Sequence, residues 1–195
     1  MTKSKIALLL GLAGLLFSPI VAGAATSNTT ISSQINSVIG VFTTNGTVNV
    51  DVTPSGAGAQ TIASDTVTIS TNDPNGYTLK LALSGAPSAL TSGSDTIPAI
   101  SGTQGSPAVA TANTWGYRVD GVGGFGAGPT SGASSQAIGS KTFAAVPATA
   151  SPNTIKTTSS TATNDTTTVW YQVSADTSTV PGTYTNTVVY TAVTN

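Results

Sequence analysis

Seven aspartates are the only acidic residues in this chain of 195 residues, which contains no glutamate, histidine or cysteine. Without histidine there is no Ser-His-Asp triad, and without cysteine there is no thiolate nucleophile, iron–sulfur cluster or structural zinc site. A glycosidase-type carboxylate pair would have to be built from two aspartates. The seven are scattered, at Asp51, Asp65, Asp73, Asp95, Asp120, Asp165 and Asp176. We therefore predict a non-enzymatic protein with no catalytic residue, metal ion or cofactor.

Asp73 is the aspartate with the most informative local sequence. It belongs to the segment Asn72-Asp73-Pro74-Asn75-Gly76, whose proline presets φ and whose Asn-Gly pair tolerates positive φ. Its carboxylate could bind Ca²⁺ weakly, but the composition favours a turn in which Asp73 accepts a hydrogen bond from its own backbone.

This chain is rich in hydroxyl residues and poor in charged ones. It has 36 Thr and 24 Ser, whereas charged residues make up 7% of it. If residues 1–25 are removed, four basic and seven acidic residues remain, for a net charge of 4 − 7 = −3. Because nucleic acids and anionic membranes attract basic surfaces, we expect neither as a partner.

The first 25 residues have the pattern of a secretory signal peptide. Lys3 and Lys5 precede the apolar run 6–17, and Ala22-Gly23-Ala24 fits a cleavage site. The run is shorter than the roughly 20 residues of a membrane-spanning helix, and no later segment could span a bilayer. We expect residues 26–195 to form a single secreted domain, extracellular or associated with the cell wall.

Alternation of apolar and polar residues is the main structural signal in the mature chain. It is typical of half-buried antiparallel strands, and the runs are separated by turn residues. The runs are 48–52, 67–70, 77–83, 115–120, 169–175 and a long terminal strand, 183–193. Together they predict an all-β fold, an antiparallel, Ig-like β-sandwich of about seven to ten strands.

Two stretches rich in Gly, Ser and Ala interrupt this pattern, at 84–113 and 121–140. Their composition favours irregular surface insertions with little defined structure, and a mobile binding loop is the alternative. The run 121–132 has GxG spacing, but no helix pattern follows it, so it is not a phosphate-binding loop.

Most aromatic residues fall on the apolar side of a predicted strand, where core packing is expected. Trp170 points the other way, because it alternates with Val169 and Tyr171. It could stack on a sugar ring, meet a neighbouring subunit or lie under the Gly-rich insertion.

Parts of the chain resemble the WxL-type domains of bacterial cell-wall surface proteins. Tyr77-Thr78-Leu79 stands where the first W-x-L motif would be, and the run from Tyr184 to Ala192 has the spacing of the second, with Tyr190 in place of its tryptophan. The resemblance implies noncovalent attachment to peptidoglycan. It makes Tyr77, Leu79, Tyr184 and Tyr190 candidate binding residues, although their strand positions favour the core.

The run 169–193 is also similar to the closing hairpin of spore-coat-U-like and fimbrial secreted domains, where Pro-Gly-Thr-Tyr precedes an alternating last strand. Those domains resemble Ig-like sandwiches and can assemble by strand donation between subunits. Two functions follow as expectations. The first is a structural or adhesive envelope protein that binds peptidoglycan or another surface glycan, with Trp170 as a contact. The second is a pilus, fibre or surface-layer subunit that self-assembles through 183–195.

Overall fold

A computed structural model describes residues 27–85 and 87–195, so the predicted signal peptide lies outside the described residues. The described part of the chain contains twelve strands and no helix. The all-β, antiparallel sandwich predicted from the sequence is therefore confirmed, with more short strands than expected. Residues 36–195 form one compact unit. Residues 27–35 belong to a separate unit, where they are exposed and have no regular secondary structure.

The strands differ greatly in length. Two long strands, β2 and β11, run through the centre of the fold. The bounds are β1 Ile39–Thr43, β2 Ala59–Thr71, β3 Tyr77–Leu83, β4 Leu90–Ser92, β5 Asp95–Ile97, β6 Ala108–Val109, β7 Trp115–Arg118, β8 Ala133–Ala137, β9 Thr142–Phe143, β10 Asn153–Thr157, β11 Ala162–Ala175 and β12 Val188–Thr194.

Two antiparallel sheets make the sandwich. The first, sheet 1, has the order β1-β2-β11-β7, and β8 also pairs with β2. Both β1 and β8 use the same edge of β2, one after the other, because β1 pairs with residues 67–71 and β8 with residues 59–62. The second, sheet 2, has the order β10-β3-β12. Two small pairs complete the fold: β4 and β5 form a short hairpin, and β6 pairs with β9, which is distant in sequence.

The main core lies between the two sheets and is built by the period-2 pattern of their strands. Side chains of one parity on each strand point inward, where burial of apolar surface stabilises the fold. The buried members from the long strands and from β3 are Val67, Ile69, Tyr77, Leu79, Leu81, Leu83, Val169 and Tyr171.

The turn between β2 and β3 has the predicted chemistry. Asp73 Oδ1 accepts a hydrogen bond from the Asn75 N–H at 2.8 Å, and Asp73 Oδ2 accepts one from Ser37 Oγ at 2.6 Å. Gly76 has a φ of 81°, and a Cβ there would lie 2.5 Å from the Thr158 carbonyl oxygen. Only glycine satisfies both conditions. Asp73 is a turn residue, as expected.

A second layer covers the outer face of sheet 1. Ile62 of β2 forms a separate apolar cluster with Ile100, Ala110 and Phe143, which come from the segments between β5 and β10. The expectation that the Gly-rich insertions have little defined structure is therefore wrong. Their small residues allow close packing: a Cβ at Gly102 would lie 2.5 Å from the Phe143 carbonyl oxygen.

Arg118 organises the most Gly-dense part of the insertion. Its side chain is 2% exposed. Its Nε donates to Asp120 Oδ1 at 2.6 Å and to Thr130 Oγ1 at 2.8 Å. Its Nη2 atom donates to the carbonyl oxygens of Gly126 and Ala127, both at 3.3 Å. The guanidinium thus fixes a loop whose sequence favoured irregular structure.

Two predicted strands differ from the structure: one is not a strand, and the other is shorter than expected. The run 48–52 has the expected alternation in exposure, but it pairs with no strand. The terminal run 183–193 forms a continuous strand only from Val188, and Thr185 makes a single bridge to Thr91. Alternation reports which side faces the core, whereas a strand also needs a hydrogen-bonded neighbour.

Candidate binding cleft

A large cleft opens at the side of the sandwich, in the unit 36–195, with a volume of about 790 Å³. Such a volume is within the range of cavities that bind ligands or peptide side chains. We call it the lateral cleft. It is bounded by two wall segments, residues 43–54 and residues 179–190, and by a floor formed mainly by β7 and β11.

The first wall begins where β1 ends. Thr44 N–H still donates to the Thr66 carbonyl oxygen of β2 at 2.9 Å, and Asn45 N–H donates to Asp65 Oδ1 at 3.0 Å. The chain then leaves the edge of β2. Val48 and Val50 turn toward the core and line the cleft, while Asn49 between them is exposed.

The second wall is the segment that leads into β12. Val180 and Pro181 lie at its start, and Tyr184 and Val188 pack partly against the core. The hydroxyl of Tyr184 donates to the Val180 carbonyl oxygen at 2.7 Å, which folds the segment over the cleft.

The floor is the inner face of sheet 1. Tyr171, Val173 and Ala175 of β11 lie at successive inward positions, spaced by two residues. Trp115 of β7 pairs with Val173 and also lines the cleft, with its indole N–H donating to the Ser88 carbonyl oxygen at 2.9 Å. The floor is thus mainly apolar and aromatic.

A polar group stands at one end of this floor. Asp65 is 3% exposed, and it occupies an inward position of β2 two residues before Val67. The hydroxyls of Tyr171 and Tyr190 lie 2.7 Å apart beside it. Burial raises the pKa of Tyr190, and the negative charge of Asp65 raises it further. The pKa of Tyr171 is also raised, mainly by burial and to a smaller extent by the neighbouring Tyr190. Both phenols therefore stay neutral hydrogen-bonding groups at physiological pH.

Both walls carry backbone groups that no strand pairs. Within residues 27–85 and 87–195, no hydrogen bond is made by the N–H groups of residues 46–52. The same holds on the other wall for the N–H groups of Thr183, Tyr184 and Asn186. β12 pairs with β3 along one edge only. The cleft therefore lies between two extended segments, each with free backbone donors.

The five predicted binding residues occupy three different environments. Tyr77 and Leu79 are 0% exposed, and the Tyr77 hydroxyl donates to Asp165 Oδ2 at 2.8 Å. They are core residues, the position that their strand alternation favoured, and this structure does not present them to a ligand. Tyr184 and Tyr190 line the lateral cleft.

Trp170 lies on the opposite face of sheet 1 from the cleft. It is half-buried and packs against the cluster of Ile62 and Phe143 beneath the insertion. This is the third of the positions considered for it. The ring is therefore not a free platform for a sugar.

Asp65 and Trp115 were not among the predicted site residues. Asp65 did have a signal, because it breaks an inward series that continues with Val67 and Ile69. A charged residue at the inward position of a central strand must have polar partners or face a cavity. Trp115 gave no such signal, since an inward tryptophan is ordinary core.

Other kinds of site find no support in the described part of the chain. No group of three or more acidic side chains there could hold a metal ion. No helix of the described residues is long and apolar enough to cross a bilayer.

The comparisons with known proteins gave no match: no family model, no curated protein and no solved structure is significantly similar to this chain.

Proposed function

We propose that this chain is a non-enzymatic structural protein of the bacterial cell surface that binds an extended polypeptide segment in its lateral cleft. Export by a signal peptide at 1–25 is part of this proposal. The observation that carries it is the cleft itself, an apolar trough between two segments in which the N–H groups of residues 46–52 and of Thr183, Tyr184 and Asn186 make no hydrogen bond among the described residues.

Strand addition is the binding mode that fits these walls. An inserted strand would receive backbone hydrogen bonds from the walls and place alternate side chains on the floor. The walls also lack basic residues, since the only charged side chains that line the cleft are Asp51 and Asp65. The cleft thus favours a segment that presents apolar and hydroxyl side chains.

The partner in this proposal is another copy of the chain, so the role is that of a subunit in a fibre or surface layer. The terminal strand β12 acts as an acceptor edge and not as the donated strand. It pairs with β3 over Val188–Thr194, and Tyr190 and Ala192 pack against the main core. Removing it for donation would open the sandwich.

Peptidoglycan or another surface glycan is the weaker candidate. Trp170 packs beneath the insertion, while Tyr184 and Tyr190 belong to the lateral cleft and not to a flat aromatic surface. Pull-down by purified peptidoglycan from a monomeric preparation would favour the glycan role over the assembly role.

Hydrogen exchange combined with sedimentation tests the proposal. We expect concentration-dependent oligomers in which the amides of residues 46–52 and of Thr183, Tyr184 and Asn186 exchange more slowly than in the monomer. Val50→Glu, which places a charge on the half-buried wall, should leave a folded monomer that no longer associates. Val109→Glu is the matched control, because Val109 is an exposed valine (47%) outside the cleft. A chain that stays monomeric, or oligomers without protection of the two walls, would overturn the proposal.

A further inference from the structure

An exposed apolar segment precedes the first strand. Ile31 is 91% exposed and Ile35 is 86% exposed, although isoleucine is among the residue types most often buried. Burying one such side chain completely is worth about 1.5–3 kcal/mol, so these two residues favour a site that covers them.

We infer that residues 27–35 of a second copy are the segment that the lateral cleft accepts. This inference rests on the proposed function and names its donor. Ile31, Ser33 and Ile35 share one side of an extended chain, with Ser32 and Gln34 on the other. The segment therefore presents an apolar, hydroxyl, apolar face.

The spacing of this face matches the floor of the cleft. Ile31 and Ile35 are four residues apart, which is about 13 Å in a strand. Tyr171, Val173 and Ala175 span the same four residues along β11. An inserted strand can therefore place its three inward side chains at the spacing of the three floor residues.

Charge also fits. No charged residue occurs between Ser27 and Val50. Insertion therefore removes no charged side chain of the donor from water. Removing one would cost several kcal/mol. The acidic residues of the cleft, Asp51 and Asp65, meet only hydroxyl, amide and apolar groups.

The length of the chain excludes insertion of both isoleucines into the cleft of their own copy. The segment joins the domain at Asn36, whose carbonyl oxygen accepts a hydrogen bond from Asn72 beside the start of β1. The cleft begins at Thr43, at the other end of β1, and the five residues of that strand measure about 16 Å. Ile35 is one residue from Asn36, and one extended residue spans only about 3.5 Å.

A donor segment and an acceptor cleft at different places on one chain give a head-to-tail contact. Such contacts do not close on themselves unless a rotation brings the last copy back to the first. The inference therefore predicts open chains of copies, each of which donates residues 27–35 and accepts those of its neighbour.

Complementation between two variants of the full chain provides the test. Ile31→Asp with Ile35→Asp removes the donor and keeps the cleft, whereas Val50→Glu removes the acceptor and keeps the donor. Each variant alone should be monomeric by light scattering, and an equimolar mixture should give a one-to-one dimer and nothing larger. The control Thr30→Asp with Ser32→Asp adds the same charge on the opposite side of the strand, and we expect it to keep forming long oligomers.

A synthetic peptide of residues 27–39, acetylated and amidated, gives a second measurement on the donor-less variant. It should slow amide exchange in residues 46–52, whereas a peptide with aspartate at both isoleucine positions should not. If the donor-less variant still forms oligomers with protected walls, the donor is a different segment and this inference fails while the proposed function stands. If neither oligomers nor protected walls appear in the wild-type chain, both fail.

Discussion

The hydroxyl groups of Tyr171 and Tyr190 lie 2.7 Å apart and connect the two sheets of the sandwich. Tyr171 belongs to β11 and Tyr190 to β12, so the contact spans the core next to the buried carboxylate of Asp65. The pair closes the polar end of the lateral cleft. Its hydrogen bond stabilises the floor against which an inserted strand would lie.

Tyr190→Phe should lower the free energy of unfolding by about 1 kcal/mol, because the buried Tyr171 hydroxyl loses its partner. Urea denaturation measures the change. Tyr184→Phe is the matched control, since the Tyr184 hydroxyl bonds to the Val180 carbonyl oxygen in an exposed position. If Tyr184→Phe lowers the free energy of unfolding as much as Tyr190→Phe does, the contact between Tyr171 and Tyr190 is not a special source of stability.

Arg118→Lys should destabilise the protein by about 2 kcal/mol, because lysine cannot reproduce the planar fork that bonds Asp120, Thr130 and the carbonyl oxygens of the loop. We also expect faster limited proteolysis between residues 121 and 132. Lys141→Ala serves as the control, with a change within about 0.5 kcal/mol, because Lys141 Nζ makes one long bond of 3.4 Å. Unaltered loop proteolysis in Arg118→Lys would show that the loop is held by other contacts.

The stability of the fold should decline in acid through Asp165 and Asp120. Burial acts to raise the pKa of Asp165, but hydrogen bonds from Lys156 and Tyr77 bring it below the usual 3.8. For Asp120, burial likewise opposes the hydrogen bonds from Thr130 and Arg118, and its pKa also lies below 3.8. A carboxyl whose pKa is lower in the folded state contributes stability that is fully present above 3.8 and is lost as the pH falls through the folded value.

Asp165→Asn should therefore flatten the decline of unfolding free energy below about pH 4 and should lower stability at neutral pH. Urea titrations at a series of pH values measure both effects. The half-buried Asp95→Asn is the comparison, because among the described residues the Asp95 side chain makes no hydrogen bond or ion pair, and we expect it to leave stability at neutral pH unchanged. A decline in Asp165→Asn as steep as in the wild type would assign the acid sensitivity to other groups.

Trp170→Ala should cost about 2 kcal/mol of stability, because the half-buried indole packs against Ile62 and Phe143. Thermal unfolding measures this loss, and association through the cleft should be unaffected at temperatures where the variant is folded. The opposite result, unchanged stability with loss of peptidoglycan pull-down, would restore Trp170 as a glycan contact.

The fold class was predictable because alternation is a local property. The runs at 67–70, 77–83 and 169–175 all became strands, since each carries one apolar side that a second sheet can cover. The run 48–52 shows the limit of this logic. Its valines face the core as predicted, but whether a neighbouring strand pairs with it depends on where the rest of the chain lies.

The candidate site was less predictable. Tyr184 and Tyr190 were identified by a motif resemblance and do line the cleft, whereas Tyr77 and Leu79, chosen on the same ground, are completely buried. The difference arises because Tyr184 and Tyr190 lie beside the opening that the two walls leave, whereas Tyr77 and Leu79, the first and third residues of β3, are covered by the main core.

By itself, the sequence determined that this protein has alternating apolar and polar runs, a composition rich in Thr and Ser, and no histidine, cysteine or glutamate. These are properties of composition and of neighbouring residues. Only the tertiary structure decided that the Gly-rich run packs around Arg118, that Trp170 is covered and that a cleft separates residues 46–52 from 183–188. Each of these depends on contacts between residues that are far apart in the chain. The free energy of such contacts depends on how the whole core packs and cannot be read from neighbouring residues.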